Sequence, residues 1–243
     1  MALQNTANAL KNMFEIEQRK YTFKDFPDKE LNVWGRKDTL DFELLNGVSE
    51  YEFNKIHFND GDTVIDVGAY TGQEALWFMA QGLNIEYYAF EPIGENFRIL
   101  EKNWKDNNRC LDMDCFDNAV GDYSGEAKIY LGGKGDGKWK NLYRYMGNIK
   151  APFRSNEYRK VFQITLDYIF SSCKIKKCKL LKLDCEGAEL KILRATPKSI
   201  LDKIQIIIGE YHEPNTMKEI KKATKGLFNV VSETDHLFKF IHK

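Results

Sequence analysis

The sequence has no net charge: Lys and Arg together number 36, and so do Asp and Glu. That balance gives no long-range attraction to nucleic acid or to an anionic membrane, although it permits a local patch. No apolar run approaches the roughly 20 residues needed to cross a bilayer, so no membrane span is expected. The start, Met1-Ala-Leu-Gln-Asn, has neither the basic opening nor the apolar stretch of a secretory signal, and a cytoplasmic location is expected. The five cysteines are odd in number and include no C-x-x-C pair. Cys173 and Cys178 have no matching second pair, so reduced thiols are expected rather than disulfides or a structural zinc site. Internal repeats and low-complexity tracts are also missing.

What remains is a globular composition, 43% hydrophobic and 30% charged over 243 residues. It suits one large α/β domain carrying an extra segment. Residues 1–60 are polar and mixed, and read as a helical or irregular N-terminal extension. Leu3, Leu10 and Phe14 fall on one side of a helix ending near Lys20. Phe23, Phe26, Trp34 and Phe42 indicate a packed arm, which is also a candidate dimer contact. From Thr63 a regular pattern begins. Strands are expected at Thr63–Val67, Ile85–Phe90, Cys115–Val120, Ala127–Leu131, Val161–Thr165, Lys179–Leu183 and Ile204–Gly209, with two more near Phe228–Val231 and Leu237–Ile241. Helices are expected at Gly72–Gln81, Glu95–Lys105, Leu166–Phe170, Glu186–Ala195 and Thr216–Lys225. Strands alternating with helices predict a mostly parallel sheet with helices on both faces, filling residues 61–243.

In an open α/β sheet, ligands bind beyond the carboxyl ends of the strands. After the first strand comes Asp66-Val-Gly68-Ala69-Tyr70-Thr71-Gly72, where glycine permits a sharp turn and the following helix start can bind an anionic group. A dinucleotide fingerprint needs glycine at its third position. Tyr70 stands there and would crowd a pyrophosphate, which favours a smaller group such as the amino-acid end of S-adenosylmethionine. Glu91, at the end of the second strand and followed by Pro92, suits the two hydroxyls of a ribose and would repel a 2′-phosphate. Asp66 is placed to support the loop or to bind the amino group, and Asn118-Ala119-Val120 to flank adenine.

A third landmark is Leu181-Lys-Leu-Asp-Cys-Glu-Gly-Ala-Glu-Leu-Lys-Ile-Leu193. Together with Val64–Gly72, Phe90-Glu-Pro92, Asn118-Ala-Val-Gly121 and Thr165-Leu-Asp167, it resembles the FkbM family of methyltransferases over roughly residues 60–212. The resemblance implies a Rossmann-like, class I methyltransferase sheet of seven strands whose last strand is antiparallel. It implies S-adenosylmethionine as cofactor, with methyl transfer to a hydroxyl oxygen of a sugar, a nucleotide-linked sugar, a glycan or a related metabolite. Such chemistry would serve polysaccharide biosynthesis or similar pathways. Asp66, Gly68 and Glu91 match the family's cofactor pattern, and Asp184 and Glu186 match its carboxylate motif. No metal is implied.

A sugar hydroxyl is a poor nucleophile near neutrality, so a positioned base is expected. Asp184, Glu186, Glu210 and His212 lie at strand ends on the same rim, and His212 has an ordinary pKa suited to a base. The same four groups would also suit a divalent cation, an alternative reading of their chemistry. Residues 132–160 hold eight Lys or Arg against two acids, with aromatic residues interleaved. Tyr143, Arg144 and Arg154 from this insertion, with Lys182, are candidates for binding an anionic acceptor. Two further readings stand beside this one. The first is a methyltransferase acting on nucleic acid or protein, supported only by the basic insertion. The second is a cofactor-binding protein without catalysis.

Overall fold

A computed structural model describes residues 15–37, 39–107, 111–131, 147–148, 158–211, 216–224, 226–234 and 236–243. Its centre is a seven-stranded sheet. The strands are β3 (Thr63–Val67), β4 (Glu86–Phe90), β5 (Asp112–Phe116), β10 (Cys178–Leu183), β11 (Ile204–Glu210), β12 (Phe228–Glu233) and β13 (Leu237–His242). Their order is β12-β13-β11-β10-β3-β4-β5. Strands β5, β4, β3, β10 and β11 run parallel, and β13 is antiparallel to both β11 and β12. This is the expected mostly parallel sheet with an antiparallel closing strand.

The inner strands are apolar on both faces because both faces are covered. Val64, Tyr87, Leu180 and Ile206 belong to one core with the helices α1 (Gln73–Gln81) and α2 (Gly94–Asn107). Their sequence neighbours Ile65, Leu181 and Ile207 belong to a second core. That core lies with α3 (Leu166–Ser172), α4 (Glu189–Ala195) and α6 (Thr216–Ala223), and the short α5 (Lys198–Leu201) adds Leu201. Strand period two thus sorts successive residues to opposite layers. The chain leaves β3 toward β4 on one side, while β10 lies on the other. The crevice at this switch point is where such sheets take ligands.

The extension departs from its expected helix. Ile16–Thr22 is strand β1, paired antiparallel with β2 (Glu30–Arg36) from Ile16↔Arg36 to Thr22↔Glu30. Leu31, Val33 and Gly35 alternate inward along β2, and this buried face with its pairing to β1 outweighs any local helical preference. Leu3, Leu10 and Phe14 lie outside the described residues. The chain then turns through short 3₁₀ segments at Leu44–Tyr51 and Phe53–Lys55.

Side chains of α2 fasten this hairpin. The amides of Asn103 and Asn107 each accept from and donate to β2: Trp34 N and O lie 2.6 and 3.1 Å from Asn103, and Asn32 N and O lie 2.8 and 2.6 Å from Asn107. One helical turn rises about 5.4 Å and two strand residues about 6.6 Å, so two asparagines four apart imitate a neighbouring strand.

Two further elements differ from expectation. The strand anticipated at Cys115–Val120 is split. Strand β5 stops at Phe116, and β6 (Ala119–Val120) pairs with β9 (Tyr158–Ile164) in a second, four-stranded sheet with β7 (Gly125–Leu131) and β8 (Gly147–Asn148). Helix α4 begins at Glu189 rather than Glu186, because Glu186 and Gly187 are both left-handed, with φ of 56° and 102°. No right-handed helix accommodates that pair. The Glu189 carboxylate accepts from Cys185 N at 2.9 Å and Gly187 N at 3.2 Å, closing the loop.

Candidate active site

The loop after β3 takes a left-handed turn at three of five residues: Gly68 (φ 82°), Tyr70 (φ 49°) and Gly72 (φ 90°). The need for Gly68 is twofold. Besides its φ, a β-carbon there would stand 1.8 Å from the carbonyl oxygen of Asp184, at the end of the adjacent β10. The loop's amides serve the protein itself. Those of Gly68 and Ala69 both bond to Phe90 O, that of Gly72 to Ala69 O, and that of Tyr70 to the Glu91 carboxylate.

Glu91 is buried and held by three donors. Ile93 N reaches Oε1 at 2.8 Å, Asn96 Nδ2 reaches Oε1 at 3.1 Å, and Tyr70 N reaches Oε2 at 3.0 Å. Burial pushes its carboxyl up to about 7 against the pull of these donors. A carboxylate offers about four acceptor positions, so one, on Oε2, is left for a ligand. This is narrower than the expected contact to both ribose hydroxyls.

Lys182 lies at 2% exposure within the floor of the cleft. Its ammonium donates to Gly68 O at 3.0 Å and pairs with Asp66, Glu74 and Asp184 at 3.2, 3.5 and 3.5 Å. Burial alone would depress an ammonium, but these carboxylates hold its pKa well above the ordinary lysine value. Glu74 opens α1, and burial raises its carboxyl to about 7 despite Lys182. Asp66 is fully buried and accepts from Tyr87 Oη at 2.7 Å. Lys182, which pairs with it at 3.2 Å and donates to Gly68 O, links it to the loop.

Above this floor, Tyr51 reaches in from the extension. Its hydroxyl lies 2.9 Å from Asp184 Oδ2 and 3.1 Å from Glu210 Oε1. Burial and the facing carboxylates keep its phenol well above the ordinary value.

These groups surround a cleft of about 320 Å³, within the range of small-molecule sites. Of the expected cofactor residues, Gly68, Tyr70, Glu91, Pro92, Asn118 and Ala119 line it. Asp66, Ala69 and Thr71 are buried behind it, and Gly72 packs against Leu100. Asp184, Glu186 and Glu210 line it as well. His212, Tyr143, Arg144 and Arg154 lie outside the described residues. Lys182 lines the floor, where Asp66, Glu74 and Asp184 engage its charge. Among the described residues, no group of three or more His, Cys, Asp or Glu is arranged to hold a metal ion.

Sequence reasoning missed the wall contributed by the extension. Leu44, Val48 and Tyr51 line the cleft; their spacing of four and three is that of one α-helical face, the available signal, although the segment is 3₁₀. Glu74, in the first turn of α1, belongs to no motif and was missed as well. The site fits S-adenosylmethionine in its donor set. Glu91 keeps an acceptor for a ribose hydroxyl, while Ile93, Ala119 and Val120 form an apolar surface beside Asn118, suited to a purine.

No curated protein matches the chain. Solved structures that resemble it include precorrin 8w decarboxylase from Methanobacterium thermoautotrophicum (15% identity, covering 81% of this chain and 89% of that one, TM-score 0.44). Magnesium protoporphyrin IX methyltransferase from Synechocystis PCC 6803 with bound S-adenosylmethionine is another (8%, 83% and 79%, TM-score 0.43). A third is tRNA (uracil-54, C5)-methyltransferase from Pyrococcus abyssi with S-adenosylhomocysteine (10%, 93% and 44%, TM-score 0.45). Residues 66–243 match the family described as the methyltransferase FkbM domain. That match spans most of the chain, including the loop after β3, Glu91 and the end of β10, and so this chain belongs to the FkbM methyltransferases, which draw their methyl group from S-adenosylmethionine.

Proposed function

We propose that the chain methylates a hydroxyl oxygen of a sugar, a nucleotide-linked sugar, a glycan or a related metabolite. The observation that carries this reading is the Tyr51 hydroxyl set between Asp184 and Glu210, 2.9 and 3.1 Å away. A hydroxyl has one proton for these two acceptors. The shorter contact, 2.9 Å against 3.1 Å, favours Asp184 as the recipient of the phenolic proton. Glu210 then faces a tyrosine oxygen with lone pairs to share, and a proton arriving on Glu210 gains a hydrogen bond to it. Such a carboxylate is suited to take the proton of an alcohol.

S-adenosylmethionine supplies a methyl group already activated by its sulfonium. The chain's task is to hold the alcohol in line and to remove its proton, and positioning of this kind contributes several kcal/mol. Carboxylates at the acceptor end also suit sugar hydroxyls as hydrogen-bond donors. The phosphate of a nucleotide-linked sugar falls to Arg144, Arg154 and Tyr143 in the basic insertion. Unchanged acceptor Michaelis constants after replacing both arginines would remove that part of the reading.

The test is a screen of nucleotide sugars and glycans with methyl-labelled S-adenosylmethionine, read by mass and by the carbon shift of the new methyl group. A product with one methyl on oxygen is expected. Label found only on polynucleotide, on protein or on nitrogen would overturn the reading.

A further inference from the structure

Glu91 belongs to a closed ring of hydrogen bonds that runs out of the family-matched region and back. Asn96 Nδ2 donates to Glu91 Oε1 at 3.1 Å, and Arg36 Nη1 donates to Asn96 Oδ1 at 2.8 Å. Arg36 Nε and Nη2 grip Asp41 at 2.8 and 3.0 Å, and Tyr70 Oη donates to Asp41 Oδ1 at 2.9 Å. Tyr70 N returns to Glu91 Oε2 at 3.0 Å. Arg36 and Asp41 are each 2% exposed and precede residue 66, where the family match begins.

The ring has a direction. A side-chain amide can present either its oxygen or its nitrogen, but a guanidinium only donates. Arg36 therefore holds Asn96 Oδ1, which turns Nδ2 toward Glu91. Tyr70 is a non-glycine residue in the left-handed region, a conformation that persists only where its surroundings hold it. Asp41 holds its hydroxyl, and the Arg36 guanidinium lies 5.2 Å from its ring centre. In that conformation the Tyr70 amide meets Glu91. Two of the three donors on Glu91 are thus aimed from the extension.

We infer that Arg36 and Asp41 are positioning residues for the cofactor, acting through Asn96 and Tyr70 to orient Glu91 toward the ribose. The inference rests on Glu91 being the ribose acceptor. It makes the segment before the matched domain part of the cofactor site.

The test compares calorimetric titration of the full chain with S-adenosylhomocysteine and with its analogue lacking both ribose hydroxyls. The wild-type protein should prefer the natural compound by about tenfold, the worth of one charge-assisted hydrogen bond. Asp41→Asn and Arg36→Lys should bind S-adenosylhomocysteine about tenfold more weakly and lose most of that preference. A role limited to stability would lower the unfolding temperature and leave the preference intact, which would overturn the inference. Tyr70→Phe removes one hydroxyl and decides the matter if a change at the buried ion pair prevents folding. Glu91→Gln separates the two claims. If it leaves the preference unchanged, Glu91 is not the ribose acceptor. If it abolishes the preference while folded Asp41, Arg36 and Tyr70 variants keep it, only the inference fails.

Discussion

The carbonyl oxygen of Asp184 stands where a side chain on Gly68 would begin, 1.8 Å from an ideal β-carbon. The glycine loop and the carboxylate strand are therefore fitted to each other before any ligand arrives. Gly68→Ala should force β3 and β10 apart at their ends and strain a φ of 82°. The expected result is a stability loss of about 2–4 kcal/mol in denaturant unfolding, with S-adenosylhomocysteine binding abolished.

Lys182 balances Asp66, Glu74 and Asp184 from a buried position. Lys182→Met should leave these carboxylates without their cation and cost about 3–5 kcal/mol. The loss should be smaller at acidic pH, where Glu74, raised to about 7 by burial, takes up a proton. Equal losses in urea unfolding at pH 5 and pH 8 would contradict this account of the floor.

Glu74 and Glu91 both have folded values of about 7, raised by burial from an ordinary 4.5. The folded state thus binds protons more tightly than the unfolded chain between those values. By linkage, these two groups make the ligand-free protein less stable as pH rises from about 4.5 to about 7. Glu91→Gln should flatten that slope in thermal unfolding followed across the window, and at the same time weaken S-adenosylhomocysteine binding.

Much of the cofactor half was legible in the sequence because it is local. Strand β3, its loop, α1 and Glu91 fall within 30 residues, and period, glycine spacing and strand ends suffice to place them. The contribution of the extension is not local. Tyr51 is 133 residues from Asp184 and 159 from Glu210, and Arg36 is 60 from Asn96. Side chains with no motif of their own become part of a site only through packing. The misplaced start of α4 has a local cause, the loop closed by the Glu189 carboxylate. Glu186 and Gly187 adopt left-handed conformations to close a loop, which carboxylate spacing alone does not reveal.

Asn103 and Asn107 pair with the open edge of β2, and Asn103 Nδ2 also donates to Thr71 O at 2.8 Å. Replacing both by leucine should leave backbone groups of Asn32, Trp34 and Thr71 without these partners, at about 1–3 kcal/mol per buried group. Hydrogen exchange should show the Asn32 and Trp34 amides losing protection while those of β3 and β10 keep theirs. Unchanged protection in β2 would mean that its pairing with β1 alone holds the hairpin.

In the proposed reading, S-adenosylmethionine lies in the crevice beyond β3, β4 and β10 with its reacting end toward Tyr51, Asp184 and Glu210. A crystal structure with S-adenosylhomocysteine tests it most directly. A ribose hydroxyl is expected on Glu91 Oε2, the purine against Ile93, Ala119 and Val120, and the sulfur facing the Tyr51–Glu210 side. A ligand bound elsewhere, or a nicotinamide dinucleotide seated in the Gly68–Gly72 loop, would contradict it.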